Sequence, residues 1–161
     1  MRKIAFILFF FIPLMTFAQK YCLNVESPCY SDTATFENDS IRCEFFWNSI
    51  INNSLGVTIT NKLKSRIYVE WNNVRIDDEP ICFETDTRFT YKLKKEDDAI
   101  AQGGKTKKII LTYNLFESAL FHMFYKRNIK KKGYDERRIN LSIKYQTESI
   151  DYPIVLRVTK K

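Results

Sequence analysis

From Leu55 to Asn61 apolar and polar side chains alternate: Leu55, Val57 and Ile59 fall on one face, Gly56, Thr58 and Thr60 on the other. From Arg66 to Trp71 the alternation returns, with Ile67, Val69 and Trp71 on one side. A period of two is that of a half-buried antiparallel strand, and the polar connection "NKLKS" predicts that the two runs form a hairpin. Upstream, Ile41, Cys43, Phe45 and Trp47 share a face against Arg42 and Glu44. Downstream, "CFETDTRFTYKL" sets Phe89, Tyr91 and Leu93 together, and "KKIILTY" aligns Ile109, Leu111 and Tyr113. The last two runs are "RINLSIKY", with Ile139, Leu141, Ile143 and Tyr145, and "YPIVLRV", with Ile154, Leu156 and Val158. Between them "QTES" supplies a turn.

With Ser31 to Phe36 as a first strand, the pattern predicts seven or eight short strands, punctuated by "NN", "DDEP" and "QGGK". Val, Ile, Thr, Tyr and Phe dominate them, as a pleated and half-covered surface favours. The expected fold is all-β, an antiparallel immunoglobulin-like β-sandwich, which buries one face of every strand. Alternation without long helical crossovers argues against a parallel α/β sheet.

One segment breaks the pattern. In Asn114 to Arg138, Phe116, Leu120, Met123 and Phe124 fall at helical spacing, followed by Lys126, Arg127, Lys130, Lys131 and Lys132. A helix from about Leu115 to Arg127 is expected, ending in cations that suit its negative C-terminal dipole. It caps the open end of the sandwich, or it docks on a partner or an anionic membrane through Tyr125 and those five cations, or the segment is instead a long irregular strand-loop-strand excursion.

The front of the chain sets its destination. Arg2 and Lys3 precede the apolar run "IAFILFFFIPLM", and Thr16 and Ala18 are small enough for a signal peptidase. This reads as a secretory signal peptide over residues 1–18, because the run is shorter than the ~20 apolar residues that span a bilayer. Residues 19–161 then form one domain, exported to the periplasm or beyond. Gln19, Lys20 and Tyr21 before Cys22 are not a lipobox, so the domain is expected to be free of a lipid anchor. Four cysteines in an oxidising compartment predict two disulfides, and sequence alone leaves three pairings open. The preferred one joins Cys22 to Cys29 and Cys43 to Cys82, each bond stabilising by ~2–4 kcal/mol. The formal charge of +7 falls to +5 once Arg2 and Lys3 are removed. Without a binding motif, that excess does not make an exported protein a nucleic-acid binder.

The stretch "VTITNKLKSRIYVEWNN", followed by the glycine turn of "AQGGKTKKIILTY", resembles a small exported bacterial immunoglobulin-like family of unknown function. In that family an asparagine ends one strand, an Ile-Tyr-Val-x-Trp strand follows, and a glycine-containing loop precedes the next apolar strand. Asn61, Ile67, Tyr68, Val69, Trp71, Gly103 and Gly104 carry the resemblance, which covers about the middle half of residues 19–161. It implies a β-sandwich on or near the cell envelope and transfers no catalytic residue.

Chemistry-bearing constellations are sparse. His122, the single histidine, lies on the apolar helical pattern with Ser118 one turn before it and no acid placed to orient it. Asp77 to Glu79 and Glu96 to Asp98 are solvated turn residues unless they converge in one pocket. "GGK" at Gly103 lacks the spacing of a phosphate cradle, and the cysteines lack the spacing of a zinc site. Tyr68, Tyr125, Tyr134 and Tyr152 fall off the inward registers and are candidates for a recognition surface. No metal and no cofactor is expected. The sequence therefore predicts a non-enzymatic interaction or structural module of the cell envelope. A small secreted enzyme built on the two acidic loops and a peripheral membrane binder using the basic segment are the alternatives.

Overall fold

A computed structural model describes residues 21–48, 54–86, 90, 93–112 and 123–161. Over these, the chain forms β1 (Tyr21–Ser27), β2 (Thr35–Glu37), β3 (Ile41–Asn48), β4 (Ser54–Asn61), β5 (Ile67–Val69), β6 (Arg75–Ile76), β7 (Glu79–Phe83), β8 (Asp98–Ile100), β9 (Lys105–Thr112), α1 (Lys126–Lys132), β10 (Tyr134–Tyr145) and β11 (Glu148–Lys160). The predicted signal segment lies outside the described residues.

The all-β, antiparallel architecture is as the alternation predicts, with eleven strands among the described residues rather than seven or eight. Hydrogen bonding runs in the order β1-β11-β10-β6-β7-β9-β4-β3-β2, with β5 beside β10 and β8 beside β5. The sheet nearly closes into a barrel. At the seam, Val25 and Ser31 exchange two backbone hydrogen bonds of 2.9 Å, joining β1 to the chain that enters β2. Isoleucines, valines and leucines from the inward positions of β3, β4, β10 and β11 fill the interior, together with Trp71 and Phe124.

The predicted hairpin of β4 and β5 does not form. β4 pairs with β3 and β9, whereas β5 pairs with β10 and β8 on the other side of the barrel. "NKLKS" is a corner, and Asn61 holds it. Its buried amide donates from Nδ2 to the carbonyls of Ser65 (2.8 Å) and Ile100 (3.0 Å), and its Oδ1 accepts from the Leu63 amide (2.9 Å).

The face assigned to β9 also shifts by one residue. Ile110 lies opposite Leu55 and joins it in the core, so Ile109 and Leu111 share the other face, where Leu111 is also buried. Because Ile109, Ile110 and Leu111 are all apolar, alternation cannot choose between them, and a slip of one residue exchanges the faces. Of the run expected at Phe89 to Leu93, Phe89 and Tyr91 lie outside the described residues, and Leu93 is exposed at a bend.

Candidate functional site

Of the helix expected over residues 115–127, only the last five residues are described. Residues 115–122, with Ser118 and His122, lie outside the described residues; Met123 and Phe124 are buried but not helical. The helix present begins at Lys126, where the sequence predicted an end. The strand that follows supplies its cap. The Asp135 carboxylate, buried at the start of β10, accepts from the Tyr125 backbone amide (2.7 Å) and from Asn128 Nδ2 (2.8 Å), satisfying a donor that a helix start leaves orphaned. At the other end, Gly133 adopts a left-handed conformation (φ 87°) and donates to the Ile129 carbonyl (3.0 Å). Ile129 alone among the helical residues is buried, and it pins α1 to the core.

This anchoring turns every helical cation outward. Lys126, Arg127, Lys130, Lys131 and Lys132 are all exposed. Lys126 and Lys130, like Arg127 and Lys131, stand four residues apart, a spacing at which like charges on a helix repel. The acids around them are engaged with other cations. Asp77 and Asp135 meet Arg137 at 3.4 and 3.5 Å, while Glu26 and Glu136 bind Arg157. Among the described residues no ion pair joins an acid to a cation of α1. Since residues 19–161 carry +5, these five cations equal the whole positive excess of that segment, and the rest of it is balanced.

Two half-exposed tyrosines bracket the helix, Tyr125 at 41% and Tyr134 at 40%. The Arg137 guanidinium lies 5.3 Å from the Tyr125 ring centroid, and that of Arg157 lies 4.8 Å from the Tyr134 ring. The other two tyrosines singled out in the sequence do not join them. Tyr152 turns partly inward, its hydroxyl 2.7 Å from that of Tyr145 and its ring against Phe36, and Tyr68 sits half-buried in β5.

The four cysteines carry free thiols in the structure. The register shows why Cys43 and Cys82 do not meet. Cys43 pairs with Ile59 and Ile59 with Thr106, whereas Cys82 pairs with Leu111. Thr106 and Leu111 are an odd number of residues apart on β9, so the two sulfurs lie on opposite faces of the sheet, three strands apart. Cys22 projects from the outer face of β1 and Cys29 lies exposed beyond the end of that strand. Burial pushes the Cys43 thiol up to about 12; burial and then the Asp86 carboxylate push Cys82 up to about 11. Both are protonated at neutral pH and are poor nucleophiles.

The acidic loops do not converge. Asp77 sits in the turn between β6 and β7, where its carboxylate accepts from the Arg138 amide (2.9 Å). Asp98 pairs with Val69, which pairs with Ile143, five residues farther along β10 and two strands across. That separation is about 16 Å along the strand and about 10 Å across it. Each carboxylate is held structurally, Asp98 by Thr106 (2.6 Å) and Lys108 (3.3 Å). Among the described residues no three His, Cys, Asp or Glu side chains are grouped to hold a metal ion, and no helix is long and apolar enough to cross a membrane. A shallow depression of about 340 Å³ opens at the seam between β1 and β3, lined by Tyr21, Leu23, Phe46 and Trp47 with Asp32 as its one carboxylate. One carboxylate without a neighbouring base does not make a general acid–base pair.

Comparison of the chain with protein-family models, curated proteins and solved structures gives no match. The functional reading therefore rests on the geometry of this chain, and the helix that gathers its charge is the candidate site.

Proposed function

We propose that this protein is an exported, non-enzymatic interaction module of the cell envelope, and that α1 with its flanking tyrosines is the face it presents to an anionic counterpart. One observation carries the reading: five exposed cations on a seven-residue helix, without an acidic partner among the described residues, equal the net charge of the processed chain. Charges this close lie within the ~8 Å Debye length and act together. Repelling pairs oppose the fold, and a local cost of this kind marks a functional surface when a ligand relieves it. The scaffold is read as immunoglobulin-like, with β1, β11, β10, β5 and β8 on one side, β2, β3, β4, β9 and β7 on the other, and the β6–β7 hairpin joining them. Export is read from the leading residues.

A crosslinking pulldown from the host envelope, comparing the native chain with a variant carrying Gln at Lys126, Lys130, Lys131 and Lys132, tests this. The native chain captures an envelope component through α1 and the variant does not. Equal capture by both overturns the assignment of the face.

A further inference from the structure

We infer that the counterpart of α1 is the surface of a bilayer containing anionic phospholipid; this rests on the reading of α1 as the binding face. Three features distinguish a lipid surface from a single bound anion or an acidic protein. First, the cations do not converge. With Ile129 inward, Arg127 and Lys131 project from the far side of the helix, Lys126 and Lys130 occupy one flank, and Lys132 the other. A cradle for one phosphate needs donors aimed at a point, whereas splayed charges match a field of headgroups.

Second, a phenol stands at each end of the helix. Tyr125 caps the helix start and Tyr134 follows Gly133, both about two-fifths exposed. A phenol has an apolar ring and a polar tip, the amphipathic form that concentrates at the headgroup level of membranes. Arg137 and Arg157 lie against the two rings and hold them beside the helix. Third, the charge balance is local. The rest of the processed chain is neutral, so attraction to a charged plane would turn α1 toward it.

The mode is peripheral. Lysines and arginine meet lipid phosphates, the two tyrosines enter the interface, and the barrel stays in water. About 1 kcal/mol per basic residue near an anionic surface, at 1.36 kcal/mol per tenfold, makes the loss of two lysines a weakening of roughly 30-fold.

The test is co-sedimentation of the protein, purified as its host processes it, with vesicles of phosphatidylcholine alone and with added phosphatidylglycerol, at low and high salt. The expected result is partitioning to the anionic vesicles only, weakened by salt. Lys130→Gln with Lys131→Gln lowers it by roughly 30-fold, while Lys130→Arg with Lys131→Arg retains it. Tyr125→Ala with Tyr134→Ala weakens partitioning without changing its salt dependence, and Tyr→Trp at both positions restores it; a native circular dichroism spectrum verifies the fold of each variant. Equal partitioning to both vesicles, no partitioning, an unchanged lysine variant, or displacement by inorganic phosphate at matched ionic strength overturns the proposal. If vesicles fail while α1 still crosslinks to an envelope protein, the lipid surface is wrong and the binding face stands. If α1 captures nothing in either experiment, both fall.

Discussion

The carboxylate of Asp135 accepts a 2.7 Å hydrogen bond from the backbone amide of Tyr125, so the strand that follows α1 caps the helix that precedes it. Through Asn128 and Arg137 the same buried carboxylate joins the helix start to the ring contacts of Tyr125. Asp135→Ala removes the acceptor and leaves donors unpaired, at a cost of about 1–3 kcal/mol. The expected outcome is local. Amide hydrogen exchange accelerates over Lys126 to Gly133 more than in β3 and β4, and unfolding by urea shifts to lower concentration.

Asn61 is the second polar residue on which the fold turns. Its three hydrogen bonds hold the corner between β4 and β5 and reach the end of β8. Asn61→Ala leaves the buried Ile100 carbonyl and the part-buried Ser65 carbonyl without this donor, and a loss of about 2–4 kcal/mol is expected, measured as a fall in the urea midpoint. An unchanged midpoint would show that water replaces the amide.

Phe46 lies over Gly56 on the outer face, opposite it in the β3–β4 ladder. A Cβ on Gly56 would stand 1.8 Å from the Phe46 ring, closer than atoms can approach. Gly56→Ala therefore displaces the ring and its contact with Lys107, for which about 1–3 kcal/mol is expected. Phe46→Ala in the same chain recovers part of that loss, so a double-mutant cycle in chemical denaturation reads a coupling.

Alkali destabilises the reduced protein. Cys43 and Cys82 are held at about 12 and about 11 from an ordinary value of 9.0, and Tyr145 is raised by burial and then by the Tyr152 hydroxyl. A raised folded value means that the native state keeps protons which the unfolded chain releases. Stability is then full below about pH 9 and falls as pH rises toward 11 and 12. Urea midpoints across that range, under reductant, decline for the native chain and decline less for Cys43→Ala. At pH 8, alkylation of native protein labels exposed Cys29 and spares Cys43 and Cys82.

The strands were legible because period two survives in one dimension. Leu55, Val57 and Ile59, and likewise Ile139, Leu141 and Ile143, are buried as their spacing predicts. Neighbours were not legible. Alternation says which side of a strand faces the core but not which strand lies beside it, so the corner at Asn61 read as a hairpin. Cys43 and Cys82 illustrate the same limit, because the spacing within each strand does not reveal that their ladder positions fall on opposite faces of the sheet. The five cations and Tyr125 were visible as candidates, but α1 itself was not. One buried residue, Ile129, leaves no apolar period to detect, and its cap comes from Asp135 in the next strand. The available signal was Gly133 directly after a lysine run, a common end for a helix.

Hydrogen exchange of the protein, with and without the host's envelope fraction, decides whether α1 is the binding face. Slowed exchange confined to Tyr125 through Tyr134 is expected. Slowing on the β3–β4 face instead, or nowhere along the chain, would contradict it.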